Sequence, residues 1–210
     1  MNTSPIREIL IQAGVVPVLT VERAGDARPL AEALRTGGLT ALEVTLRTPV
    51  AFDVIRTMKS VENVIIGAGT VLTAADVERA CEAGADFIVT PGLSRSTVET
   101  ARRLGVPILP GVTTPTEIMT GLDLGLDTFK FFPAEPSGGL TMLAAFEGPF
   151  QAVRFCPTGG IRHDQAASYL ARPNVLAVGG GWIAPADLIK ASSWAEIVRL
   201  AGDAAALRNR

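Results

Sequence analysis

Lys130 stands in the run DTFKFFPA (127–134), among Phe129, Phe131 and Phe132 and shortly before Pro133. An amine in so apolar a segment loses hydration. That disfavours its ammonium form and exposes a lone pair able to attack a carbonyl and form a Schiff base. A structural lysine paired with a buried carboxylate explains the same residue in bland terms. The chain has only two other lysines, Lys59 and Lys190, both near helix ends where a surface charge is the simpler account. A lysine-dependent reaction would therefore use Lys130.

Glu43 lies inside ALEVTL (41–46), and counting by two places it on one strand face with Ala41 and Thr45. A carboxylate on such a face needs a positive partner or a proton. Beside Lys130 it could supply the pairing charge and also move protons during imine chemistry. A purely structural ion pair with Lys130 or Arg47 is the alternative. Arg47 closes the same segment, in TLRTP, and its planar donor fork suits a carboxylate ligand, although an ordinary surface arginine would also sit there.

Three glycine-bearing segments complete the candidates. GAGT (67–70) allows a close backbone approach and offers the Thr70 hydroxyl. PTGGI (157–161) and VGGGW (178–182) each end an apolar run with glycines whose N–H groups can converge on an anion. His163 reads as a helix start, Cys156 as an apolar core position, Trp182 as a wall of the site mouth and Trp194 as helix packing.

The elements that must position these residues come from a repeat. Short apolar runs recur at 15–20, 41–46, 63–69, 85–92, 106–112, 127–134, 152–160 and 174–182. Each is rich in Val, Ile, Leu or Phe and short enough for a strand buried on both faces. Between them lie stretches with helical spacing. In TAADVERACEAG (73–84), Val77, Ala80 and Cys81 share one face. Several such stretches end in glycine before the next apolar run, as in EAGADF, RLGVPI and DLGLDT, where a left-handed residue stops the helix.

Eight βα units predict an α/β fold, a single (β/α)8 TIM barrel with all βα loops at one end, over residues 1–210 as one domain. SPIREILIQAG adds an N-terminal helix expected to cover the barrel bottom. An open doubly wound sheet is the competing arrangement, but the first strand is followed by TVERAG, without a GxGxxG fingerprint. The glycine pairs instead follow the seventh and eighth runs, where barrels commonly hold phosphate. At 210 residues the chain is shorter than the roughly 250 typical of this fold, which leaves short loops and little room for a lid.

Composition narrows the function classes. Nineteen basic and 21 acidic residues give a formal charge of -2 without a basic stripe, which argues against nucleic acid or anionic lipid as a partner. Two cysteines and one histidine provide neither a disulfide framework nor a metal cluster. No run reaches 18 apolar residues, and the first segment carries charge within a helical pattern. The expectation is a cytoplasmic protein, with no metal and no cofactor, acting on a small molecule.

Together LEVTLRT, GAGTV, FIVTPG, ILPGVTTPTEI, FKFFPAE and PTGGI resemble the 2-keto-3-deoxy-6-phosphogluconate aldolase family, including its 4-hydroxy-2-oxoglutarate aldolase activity. The resemblance spans nearly the whole chain. It implies a homotrimeric barrel and a metal-independent class I lyase of the Entner-Doudoroff pathway, cleaving 2-dehydro-3-deoxy-6-phosphogluconate to pyruvate and glyceraldehyde 3-phosphate. By the same resemblance Lys130 forms the Schiff base, Glu43 is the general acid/base, and Arg47 and Thr70 hold the pyruvate carboxylate region. Pro91 walls the pocket, Thr158 contacts the polar substrate chain, and Gly159, Gly160, Gly180 and Gly181 form the phosphate loops. Many relatives carry Gly-Gly-Ser-Trp where this chain has Gly179, Gly180, Gly181 and Trp182, so one loop hydroxyl is missing. Neighbouring possibilities are an aldolase preferring 4-hydroxy-2-oxoglutarate or 2-dehydro-3-deoxy-6-phosphogalactonate, a phosphosugar isomerase using a Glu/Lys proton shuttle, and a non-catalytic phosphosugar-binding barrel.

Overall fold

Every apolar run contains a strand. A computed structural model describes residues 4–209 and places β1 at Val15–Leu19, β2 at Ala41–Thr45, β3 at Ile65–Gly69 and β4 at Phe87–Val89. The fifth run is divided into β5 (Ile108–Leu109) and β6 (Gly111–Val112); β7 (Thr128–Phe131), β8 (Arg154–Pro157) and β9 (Val178–Gly180) follow. The single fifth strand read from the sequence is thus corrected to a broken stave. Pro110 has no N–H to give to the ladder, although its carbonyl accepts from the Lys130 N–H.

All pairings are parallel. One sheet runs β5-β4-β3-β2-β1-β9 and the other β6-β7-β8. Pro110 joins them on one side, and isolated bridges from Phe155 to Val175 and from Thr158 to Gly179 join them on the other, which curls the sheet into a barrel.

Helices α1 (Pro5–Ala13), α2 (Ala27–Thr36), α3 (Ala51–Lys59), α4 (Ala74–Glu82), α5 (Arg95–Leu104), α6 (Pro115–Asp123), α7 (Gly139–Glu147) and α8 (His163–Leu170) each lead to the bottom of a following strand, and α9 (Ala186–Lys190) and α10 (Trp194–Ala205) follow β9. Thr73 and Thr114 open α4 and α6 with reciprocal capping boxes to Asp76 and Glu117. Gly84, Gly105 and Gly125 follow α4, α5 and α6 with φ of 93°, 69° and 74°, as the helix-stop reading requires.

Period-two alternation sorts the apolar side chains into two cores. Leu42, Val44, Ile66, Ala68, Ile88, Phe129, Phe131 and Phe155 point outward to the helices. Val16, Ala41, Phe87, Val89, Leu109, Cys156 and Ala177 fill the barrel, and Ile6, Leu10 and Ala13 of α1 join this inner cluster from below. Arg7 fastens α1 to the lower rim through the Thr128 hydroxyl at 3.2 Å and the Asp127 carboxylate at 3.0 Å. No helix among the described residues is long and apolar enough to cross a membrane.

Candidate active site

Glu43 and Lys130 are 87 residues apart in the chain, on strands that do not pair with each other. Both point inward, and Lys130 Nζ lies 3.0 Å from Glu43 Oε1. Their exposures are only 5% and 3%, so this ion pair sits inside the barrel and not on its rim. Gly69 makes room for it: a Cβ at that position would fall 2.3 Å from Glu43 Oε1. The Phe132 ring lies 5.1 Å from Lys130 Nζ and covers the ammonium with its electron-rich face.

Cys156 occupies the β8 position that registers with Lys130. Burial pushes its thiol up to about 12, the Glu43 carboxylate adds to that, and the Lys130 charge opposes it. The thiol is therefore an inert neighbour of the pair and not a nucleophile.

The same Phe132 also lines a cavity of about 270 Å³ between the ends of β1, β8 and β9, whose walls include neither Lys130 nor Glu43. Thr158, Gly159, Gly160, Gly180, Gly181 and Arg47 all line it, so six of the sequence-derived candidates converge on one space. The Thr158 hydroxyl hangs over Gly179, where a Cβ would come within 2.2 Å of its oxygen. Gly159 and Gly160 take φ of 105° and 80°, a turn that side-chain-bearing residues rarely adopt. Among the described residues, the N–H groups of Gly159, Gly160 and Gly181 donate to no protein acceptor, and Arg47 makes no ion pair. Free backbone donors and a guanidinium outside any ion pair among the described residues are groups suited to hold an anion.

Two other candidates stand apart. Thr70 directly follows β3 with φ of 57°, a left-handed conformation costing a β-branched residue about 1–3 kcal/mol. It does not line the 270 Å³ cavity. Pro91 lines a separate depression of about 230 Å³ with Val71, Leu72, Thr90 and Thr97. Lys59 pairs with Asp86 at the C-terminus of α3, and Lys190 is exposed at the end of α9. His163 starts α8 and packs on Trp182, with ring centroids 4.8 Å apart.

Sequence reasoning missed Thr20 and Phe132, both of which line the cavity. The Thr45 hydroxyl donates to the Leu19 carbonyl at 2.8 Å and lies 3.1 Å from Thr20 Oγ1. With the Thr45 hydrogen so engaged, Thr20 donates to Thr45 and keeps its lone pairs for the cavity. The available signal was position: Thr20 closes the first apolar run, just after β1, as Arg47 follows β2. Among the described residues no cluster of three or more His, Cys, Asp or Glu is placed to hold a metal.

Comparison with known proteins agrees with this geometry. Residues 6–200 match the aldolase family described as KDPG and KHG aldolase. The KHG/KDPG aldolase of Escherichia coli K12 is 47% identical over 197 residues, 93% of this chain and 92% of that one. A crystal structure of the 2-keto-3-deoxy-6-phosphogluconate aldolase of Zymomonas mobilis ZM4 with 3-phosphoglycerate superimposes with a TM-score of 0.92 at 48% identity, covering 97% of this chain and 96% of that one. A KDPG aldolase from Legionella pneumophila, with pyruvate captured at low pH as a covalent carbinolamine intermediate, also gives 0.92, at 42% identity over 95% and 97% of the two chains.

Proposed function

Because this chain belongs to the KDPG and KHG aldolase family and is an aldehyde-lyase, we propose that it cleaves 2-dehydro-3-deoxy-6-phosphogluconate to pyruvate and glyceraldehyde 3-phosphate through an imine on Lys130. The observation that carries this reading is the buried contact of 3.0 Å between Lys130 Nζ and Glu43 Oε1, covered by the Phe132 ring that also lines a cavity rimmed by free N–H groups.

The chemistry follows from that contact. Glu43 takes a proton from the Lys130 ammonium, and the freed Nζ amine adds to the C2 ketone, passing its own proton to the ketone oxygen to give a carbinolamine. Glu43 returns the proton to the departing hydroxyl, which leaves as water and creates the iminium. Glu43, a carboxylate again once water has left, takes the C4 hydroxyl proton as the C3–C4 bond breaks and later gives it to C3. The electrons of that bond move into the iminium as an enamine, and the aldehyde product is released. Protonation of the enamine at C3 followed by water addition frees pyruvate and regenerates the amine. Arg47 holds the keto-acid carboxylate, Thr158 meets the polar chain, and the glycines at 159, 160, 180 and 181 take the phosphate. Thr70 and Pro91 support the pyruvate end from the neighbouring loops.

A second reading rests on Gly181. The loop here offers no hydroxyl, which weakens selection for the phosphate and favours activity on 4-hydroxy-2-oxoglutarate as well. The same family membership supports one domain over residues 1–210, assembly as a homotrimer and action in the cytoplasm. Light scattering and cell fractionation check the last two.

Pyruvate with borohydride, followed by peptide mass mapping, tests the central claim. A reduced adduct on Lys130 is expected; an adduct on another residue, or none in folded protein, would sink it.

A further inference from the structure

The glycine turn at 159–160 does not hold its own shape; it leans on Glu135. The segment after the lysine strand runs alongside that turn, with the Ala134 N–H donating to the Thr158 carbonyl at 2.8 Å and the Glu135 N–H to the Gly159 carbonyl at 3.0 Å. The Glu135 side chain then reaches across to α8, the helix that leaves the turn. One carboxylate oxygen accepts from the buried Tyr169 hydroxyl, and the other accepts from Gln165 Nε2 at 3.1 Å. Gln165 in turn accepts the Arg162 N–H at 3.0 Å, at the N-terminus of α8. Burial and the Glu135 carboxylate together hold the Tyr169 phenol well above its ordinary range, so it remains a donor.

Packing is equally tight. A Cβ on Gly160 would fall 2.9 Å from Glu135 Cβ, and one on Gly139 would fall 2.7 Å from the Tyr169 oxygen. The turn, α8 and the loop after Lys130 therefore form one rigid unit with Glu135 at its centre.

We infer that Glu135 is a positioning residue for phosphate recognition, fixing the 159–160 turn relative to Lys130 by way of Tyr169 and Gln165. This rests on the reading of those glycines as the phosphate site. Glu135 neither lines the cavity nor touches the Lys130–Glu43 pair, so its effect falls on the distal end of the substrate and not on imine chemistry.

The test is a split between two substrates. Glu135→Ala removes two hydrogen bonds to a charged group, and KM for the 6-phosphorylated substrate should rise about tenfold or more. Cleavage of unphosphorylated 4-hydroxy-2-oxoglutarate should change by less than about twofold, as should pyruvate trapping on Lys130. Tyr169→Phe keeps the buried ring, loses one hydrogen bond and should show the same split on a smaller scale. Glu135→Gln should restore part of the phosphate preference, because its carbonyl still accepts from Tyr169. Parallel loss on both substrates, or an unchanged KM for the phosphorylated one, overturns the inference. Trapping in the unsubstituted protein runs in the same experiment. Its absence overturns the catalytic reading and the inference with it, whereas trapping without the split overturns the role of Glu135 alone.

Discussion

The lower end of the barrel is stoppered by α1, whose Ile6, Leu10 and Ala13 enter the inner core while Arg7 ties the helix to Thr128 and Asp127. Among the described residues the upper end carries no such plug: glycine turns, Thr20, Thr158 and Arg47 surround an open cavity whose Phe132 wall covers the buried ion pair. The cavity near the lower end, between Ile6, Val98, Arg102, Val106, Leu126 and Thr128, is larger, about 340 Å³ against about 270 Å³. It has no nucleophile and base in contact. Volume therefore does not separate the two ends; a buried amine–carboxylate pair does, above a lower end packed with apolar side chains.

Substitutions at the two ends should break different properties. Lys130→Met has the largest expected effect, lowering kcat about a thousandfold or more because Lys130 is the lysine buried against a carboxylate, while Lys59 is tied to Asp86 and Lys190 is exposed. A coupled assay for pyruvate release measures it. A residual rate within tenfold of the original would place the reacting amine elsewhere. Leu10→Ala should act in the opposite sense, removing about 2–5 kcal/mol of stability through the cavity left in the plug. Activity per folded molecule should stay level, and urea unfolding with parallel kinetics checks both quantities. A large kcat loss there would dissolve the division between the ends.

Gly181→Ser probes the upper end more gently. A Cβ there would meet only the Val18 carbonyl, 3.8 Å away, so serine fits without rearrangement. One added hydrogen bond to phosphate should lower KM for the phosphorylated substrate about three- to tenfold and leave that for 4-hydroxy-2-oxoglutarate unchanged. Equal effects on both would show that the loop does not meet the phosphate.

Cys156 gives the smallest signal. Its thiol is held protonated in the fold up to about 12, whereas in the unfolded chain it ionises near 8.5. Between those values the folded state binds the extra proton, so stability contributed by the neutral thiol is complete below pH 8.5 and declines as pH rises towards 12. Cys156→Ala should flatten the alkaline limb of a pH-stability curve. Native protein should also resist thiol alkylation at Cys156 at pH 8, while half-buried Cys81 reacts first.

Much of the upper end was legible in the residues themselves. An amine among phenylalanines, a carboxylate on the Ala41–Thr45 face and glycine pairs after the seventh and eighth runs each violate the apolar strand pattern, and violations of that pattern concentrate where function lies. Thr20 and Phe132 were not legible, because a threonine after a strand and a phenylalanine beside one break no local rule. Pro110 was visible as a residue, but its effect on the ladder depends on which neighbour needs its missing N–H. Glu135 is similarly silent in sequence; its importance comes from Tyr169, 34 residues later.

The sequence by itself determined the βα repeat, the glycine stops after the helices, the inward face of each strand and the single lysine placed in an apolar strand. Those properties are local, arising from backbone sterics and the two-residue alternation of side chains. Tertiary structure decided which inward-facing groups meet. Barrel closure and strand register bring Lys130 within 3.0 Å of Glu43 and gather Arg47 with the late glycines around one cavity, while leaving Pro91 beside another. Distances across a closed sheet depend on every strand between, and no segment carries that information alone.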